Sequence, residues 1–380
     1  MLHYLDNAST TQVAPEVAEA ISAALLQHWA NPSALYTPGM AAEAAIQHAR
    51  HTLADGLGCQ SGEVFFTGCG TEGNNIAIFG AALARRNWGT QLVATGYEHP
   101  SVSGPLALLA QQAGFQLTEI APGQDGQVPL QGIVDAVGPN TALVCAMHVN
   151  NETGALLDVT ALAEAVKQKN HRTFVHVDGI QAFGKLPLAL SKTKIDSYTL
   201  SGHKIHAPKG VGALYLRQGA NLLAPIVGGG QEKGIRPGTE NTPYIVGLGV
   251  AAQLMARRHA TAQAHQQKLR QRLLAGLAAI GSTVCHSPEN GVPGIVFFSM
   301  PRGLQSQVMI NHLFERHGVC VSGGSACAGG AASHTLTAMG VPRQQIEGAL
   351  RVSFCGDTTE ADVDALLTGL QDCVATLARK

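Results

Sequence analysis

The chain has 380 residues, 45% of them hydrophobic and 13% charged, which is enough apolar material for a large core and too much for a disordered chain. Its 25 Lys and Arg nearly balance 26 Asp and Glu, so charge recommends neither nucleic acid nor an anionic membrane as a partner. The start, MLHYLDNASTT, lacks a basic region followed by an apolar run, and no apolar stretch approaches a membrane span, so a cytoplasmic enzyme is expected.

In chain order, FTGCGTEGNNIAIFGAAL (Phe66 to Leu83) reads as a strand end, a glycine turn carrying Thr71, and a helix. Such a helix N-terminus suits a phosphate, although the spacing is not the G-x-G-x-x-G of a dinucleotide site. TALVCAMHV (Thr141 to Val149) is a strand-like run, followed by DVTALAEAVKQK with Leu162, Ala165 and Val166 at helical spacing. TFVHVDG, DSYTLSGHK and GVGALYLR continue the alternation. Apolar strands interleaved with helices predict an α/β fold around a buried, largely parallel sheet.

Beyond it, Ile245 to Ile280 reads as one long helix, GIVFFSM and ALRVSF as strands, and HLFERHG as helical. The last segment has a cap pattern at Thr359 to Asp362, then Val363, Leu366, Leu367 and Leu370 on one face. The expected division is a large α/β domain over residues 15–255 and a smaller α+β domain formed by 1–14 and 256–380. Between its strands lies VSGGSACAGGA, Val321 to Ala331, one cysteine among glycine, serine and alanine, which reads as a mobile loop. The eight cysteines are scattered with no C-x-x-C pair, so no disulfide framework and no metal site is expected.

Ligands of an open α/β sheet bind beyond the carboxyl ends of its strands. There the sequence places Asn150 and Asn151, then Asp178 and Gln181, then Ser201, His203 and Lys204. Turn chemistry, caps and solvation account for each of these singly. Together they suit pyridoxal phosphate, which needs a lysine, a carboxylate for its ring nitrogen, and donors for its phosphate.

The stretches SGHKIHAPKG, HVDGIQAFGK, HVNNETG, EHPSV and RPGTEN together resemble the class V aminotransferases. With SGGSAC the likeness narrows to the cysteine desulfurases of the NifS/IscS-like group, and it runs from YLDNASTT to LRVSF. It implies an aspartate aminotransferase-like fold, pyridoxal 5'-phosphate, and conversion of L-cysteine to alanine with a persulfide on Cys327. By the same resemblance Lys204 is the Schiff-base lysine, Asp178 pairs with the pyridine nitrogen, and His99 stacks on the ring and relays protons. Asn151 and Gln181 would bond the ring substituents, and Gly70, Thr71, Ser201 and His203 would hold the phosphate. Thr239 would reach the phosphate of a neighbouring subunit, implying a homodimer. Arg351 would grip the substrate carboxylate, with Asn31 nearby, and the sulfur would pass to an acceptor in iron–sulfur cluster assembly or tRNA thiolation.

Three positions depart from the family pattern: Tyr36 where histidine is usual, Cys69 for a glycine, and Gly73 for a serine. A selenocysteine lyase or C–S lyase on the same fold is the alternative, and it would not need Cys327. A transaminase would use no cysteine, and a silent binding subunit would not keep Lys204, Asp178, Cys327 and Arg351 together.

Overall fold

The computed structural model describes residues 1–323 and 332–377. The elements of the first half are β1 (His3–Tyr4), α1 (Pro15–Gln27), α2 (Thr37–Leu57), β2 (Val64–Thr67), α3 (Gly70–Arg85), β3 (Gln91–Thr95), α4 (Pro100–Gln112) and β4 (Gln116–Ile120). Next come α5 (Leu130–Ala136), β5 (Thr141–Met147), α6 (Val159–Lys169), β6 (Phe174–Asp178), β7 (Ser197–Ser201), β8 (Gly212–Leu216) and α7 (Thr242–Ile280). The remainder is β9 (Val284–Cys285), β10 (Ile295–Ser299), α8 (Ser306–His317), β11 (Val319–Cys320), α9 (His334–Ala338), α10 (Arg343–Glu347), β12 (Ala349–Ser353) and α11 (Glu360–Thr376).

Seven strands form one sheet in the order β2-β8-β7-β6-β5-β3-β4. All run one way except β8, which is antiparallel to both neighbours. The reason is the short link after Ser201: a parallel return needs a crossover of a dozen residues or more, so GVGALYLR has to turn back. The central strands β5, β6 and β7 are adjacent and parallel, and Met147, Asp178 and Thr199 sit in register across them. Their carboxyl ends therefore finish on one edge.

Alternate strand residues feed opposite faces, as a pleated sheet requires. Val144, Ala146, Val175 and Val177 pack with Leu53, Leu162 and Leu248 from α2, α6 and α7. Leu143, Cys145 and Phe174 pack with Ile78, Ala81 and Leu106 from α3 and α4. Within α6 the buried residues include Ala163, while the expected Ala165 is half-buried.

A second core gathers Val296, Phe298, Leu350 and Val352 from the β12-β10-β9 sheet with Leu313, Leu366 and Leu370. The expected start of α11 is a capping box between Thr359 and Asp362, and Leu367 packs at the margin of this core. Helix α7 serves both cores, with Leu248 and Ala251 in the first and Leu269, Leu273 and Leu277 in the second.

Gly179, directly after Asp178, admits the Tyr198 ring: a Cβ there would lie 1.8 Å from Tyr198 Cζ. Replacing it with alanine forces the ring or the strand end to move, so Gly179→Ala should cost about 1–3 kcal/mol, read as a lower urea midpoint with an unchanged slope.

Candidate active site

Strand β6 ends on Asp178, buried at 3% exposure. Its Oδ1 accepts from the Ile180 N–H at 3.0 Å and its Oδ2 from Asn74 Nδ2 at 2.9 Å. Burial pushes the Asp178 carboxyl up, and these two donors oppose that shift. Asn74, on α3, also donates to Ser101 Oγ at 2.9 Å, and its Oδ1 lies 3.1 Å from His176 Nε2. Since Asn74 spends its amine on Asp178, its oxygen accepts, so His176 carries its proton on Nε2. His176 Nδ1 then accepts from Ser197 Oγ at 2.8 Å. Burial pushes the His176 imidazole down to about 3, which keeps it neutral.

The next strand, β7, ends at Ser201 and runs into a single 3-10 turn, Gly202–Lys204. Lys204 Nζ donates to the backbone oxygens of Ala8 and Ser9 at 2.6 and 2.7 Å. Burial, with Arg351 and Lys185 adding repulsion, pushes its amine down to about 7. The N-terminal stretch YLDNASTT lies against these strand ends through its backbone. Ala8 O also accepts from Gln181 Nε2 at 2.8 Å, and the Thr11 N–H donates to His203 O at 2.8 Å.

His99 caps α4, its Nδ1 accepting from the Ser101 N–H at 3.1 Å. Burial lowers its imidazole pKa, Asp178 opposes the shift, and Lys204 adds to it. Ser101 Oγ lies 2.9 Å from the same Nδ1, so Asn74 and Ser101 link His99 to Asp178. Neither residue was picked out by sequence reasoning; the available signal was a polar residue four places after Gly70, on the inner face of an otherwise apolar helix.

Helix α3 starts at Gly70, and its cap residue Cys69 makes no side-chain cap hydrogen bond. A Cβ on Gly70 would lie 2.3 Å from Ile180 Cδ1 and 3.3 Å from Ser201 Cβ, so the helix start abuts β7 and the turn after β6. Thr71 is exposed, Ser201 is buried, and His203 lies 3.2 Å from Thr10 Oγ1. Burial and neighbouring lysines push His203 down to about 4. Gly73 faces Thr199, where a Cβ would come within 2.9 Å of the threonine methyl, leaving little room for the serine more usual there.

Arg351, on β12, is buried. Its Nη1 donates to Asn151 O at 2.8 Å, and its Nη2 to Asp6 Oδ1 at 2.9 Å and Ser9 Oγ at 2.6 Å. Its Nε is buried without a partner among the described residues. Asn150 is structural: its Oδ1 accepts from the Glu152 and Thr153 N–H groups and so shapes the turn that presents Asn151.

Cys327 lies outside the described residues, but both flanks of its segment attach to the site. On one side Ser322 and Arg351 exchange backbone hydrogen bonds of 3.1 and 2.6 Å. On the other, Thr335 Oγ1 donates to Glu152 Oε1 at 2.9 Å, and Ser333 Oγ donates to Glu152 Oε2. Asn31 is exposed, its Oδ1 accepting from the Ser33 N–H at 2.9 Å, and Tyr36 is exposed at the cap of α2. Thr239 is exposed in a separate recess of about 120 Å³ lined by Gly68 and Arg236. A larger cavity of about 640 Å³ touches Lys204 and Ala8 but not Asp178, His99 or Arg351.

A family model described as aminotransferase class V matches residues 3–366. A cysteine desulfurase of Trichormus azollae is 39% identical over 98% of this chain and 93% of its own length. The chain belongs to the class V aminotransferases. A solved NifS-like protein superposes on this family member with a TM-score of 0.93 at 34% identity, over 99% of this chain and 100% of its own. A structure described as SspA in complex with cysteine matches with a TM-score of 0.81 at 33% identity, over 94% and 100%. This class V aminotransferase acts as a cysteine desulfurase, and its cofactor is pyridoxal 5'-phosphate.

The residues present fit that cofactor. The buried Asp178 has no ion pair among the described residues, which suits a protonated ring nitrogen. Lys204 holds a half-buried amine of lowered pKa, and the side-chain-free start of α3 beside Ser201 suits a phosphate. Because Asn74 helps keep Asp178 ionised, Asn74→Leu should weaken cofactor affinity. Loss of one charge-assisted hydrogen bond is worth about 1.5–3 kcal/mol, so the Kd should rise roughly ten- to a hundredfold in absorbance titrations of the cofactor-free protein.

Proposed function

We propose that Lys204, Asp178, His99 and Arg351 carry the desulfuration of L-cysteine and that Cys327 accepts the sulfur as a persulfide. The observation that carries this reading is Lys204, an amine pushed down to about 7 within electrostatic reach of a buried carboxylate that lacks an ion pair among the described residues. Bound pyridoxal phosphate supplies an electron sink that acidifies the substrate Cα–H.

Lys204 Nζ, neutral in part at physiological pH, takes and returns the proton at Cα. Asp178 holds its negative charge against the ring nitrogen, and Asn74 and the Ile180 N–H keep it ionised. His99, neutral and fixed by Ser101, covers the ring. Asn151 and Gln181 bond its substituents, while Gly70, Thr71, Ser201 and His203 bind the phosphate. Arg351 meets the substrate carboxylate, its unpartnered Nε supplying a free donor, with Asn31 at the margin. The Cys327 thiolate attacks the substrate sulfur; the S–S bond forms as the Cβ–S bond breaks, and protonation at Cβ leaves alanine. The likeness to a protein solved with cysteine supports this substrate.

Residues 15–255 would form the cofactor-holding domain, and 1–14 with 256–380 the smaller one; the two apolar cores support that division. A homodimer is supported by the exposed apolar residues Leu26, Trp29, Leu35 and Met40, which fall within one short stretch of chain, since clustered exposed apolar side chains mark interaction surfaces. Thr239 would reach the neighbouring phosphate in that dimer. The persulfide would go to an acceptor protein of iron–sulfur assembly or tRNA thiolation in the cytoplasm. Among the described residues no helix is long and apolar enough to cross a membrane.

Alanine release from L-cysteine, with a reductant present, should occur with the wild type and fall to background with Cys327→Ser. Equal release by both would favour elimination chemistry over transfer to Cys327. The lowered amine adds a pH signature. Only the neutral amine attacks an aldehyde, so covalent cofactor capture by the cofactor-free protein should accelerate as pH rises through about 7 and then level off. A capture rate that kept rising toward pH 10 would place the amine at its ordinary value.

A further inference from the structure

Helices α8 and α11 carry a cluster that no step above uses. His312 and His317 both direct Nε2 at Oδ2 of Asp372, at 2.8 and 2.9 Å. The three atoms lie within 4.8 Å of one another, and all three side chains are partly buried. Sequence inspection does not group them, because the carboxylate is 55 residues beyond the nearer histidine.

The cluster is held from behind. Gly369 lets the two helices close up: a Cβ there would lie 2.6 Å from Leu313 Cδ2 and 3.2 Å from the His317 ring. Asp372 lies in the last turns of α11 and His317 is the final residue of α8. The carbonyl end of α8 thus lies beside the cluster, where positive charge is favoured.

We propose that His312 Nε2, His317 Nε2 and Asp372 Oδ2 form a binding site for a divalent cation of the zinc type, with water completing its coordination. Two imidazoles and one carboxylate suit zinc, nickel or cobalt and disfavour magnesium and calcium. A tetrahedral ion with bonds of 2.0–2.1 Å places its ligand atoms about 3.3 Å apart, so small side-chain rotations accommodate it. In the metal-free arrangement both Nε2–H groups donate to Oδ2. The ion replaces those two hydrogens, and each neutral ring then carries its proton on Nδ1. The site would clip α8 to α11 just upstream of β11, which leads to Ser322 and its pairing with Arg351.

The test is zinc chloride titrated by calorimetry into the chelator-stripped, cofactor-loaded enzyme, comparing wild type with His312→Gln, His317→Gln and the double variant. Glutamine keeps an N–H donor for Asp372 but is a poor metal ligand. Wild type should bind one zinc equivalent more than the double variant, or bind it at least tenfold more tightly. Its apparent Tm should rise about 2–4 °C with zinc in excess, while the variants do not respond. Should the glutamine variants already melt lower without zinc, Asp372→Asn provides the comparison. Equal stoichiometry and affinity in wild type, the double variant and Asp372→Asn would overturn the proposal.

Discussion

A buried carboxylate without a salt-bridge partner is expensive, and among the described residues Asp178 is one. Moving an ionised group out of water costs several kcal/mol unless hydrogen bonds or an opposite charge offset it. Asp178 has two neutral donors, one from its own turn and one from α3. The chain Ser197–His176–Asn74 behind it serves to aim the second donor. Placing a polar network under the sheet is tolerable because these members are paired and the ring between them stays neutral. The remaining electrostatic deficit is one that a cationic ring nitrogen would fill.

The same economy governs the lysine. Lys204 is not neutralised by a carboxylate in contact but solvated by two backbone oxygens of the N-terminal stretch. Carbonyl oxygens bind an ammonium group without fixing its charge as firmly as a carboxylate would, so repulsion from Arg351 and Lys185 is still felt. The N-terminal stretch has a second duty: Asp6 and Ser9 hold the guanidinium of Arg351. One short segment thus sets the positions of a lysine beside the first core and an arginine beside the second.

What could be read from the sequence is what depends on local pattern. Apolar runs marked the strands, and polar residues directly after them marked the edge where a ligand binds, because strand ends are local in sequence. The capping box at Thr359 is local for the same reason. Asn74, Glu152 and Asp6 escaped notice because their partners lie far away along the chain: Asn74 acquires meaning only when α3 packs under β6, and Glu152 only when α9 returns to the turn after β5. The reversed β8 was implicit in a link too short for a crossover. Arg351 was singled out by resemblance, and its grip on Asp6 and the Asn151 carbonyl is a tertiary fact.

Helix α7 behaves as a beam fixed at both ends. Its buried stretches around Leu248 and Leu273 are clamped in different cores. The span between them is braced mainly by single hydrogen bonds, from His259 to Lys185 O and from His265 to Thr358 O. Alongside lies the cavity of about 640 Å³, so there is little packed matter to displace when the span bows. Residues 253–268 cover about 24 Å at 1.5 Å each, and over that lever a bend of about 5° moves the far end by about 2 Å. Such a bend would shift one core against the other, and the N-terminal stretch, tied to both Lys204 and Arg351, is the segment that would resist it.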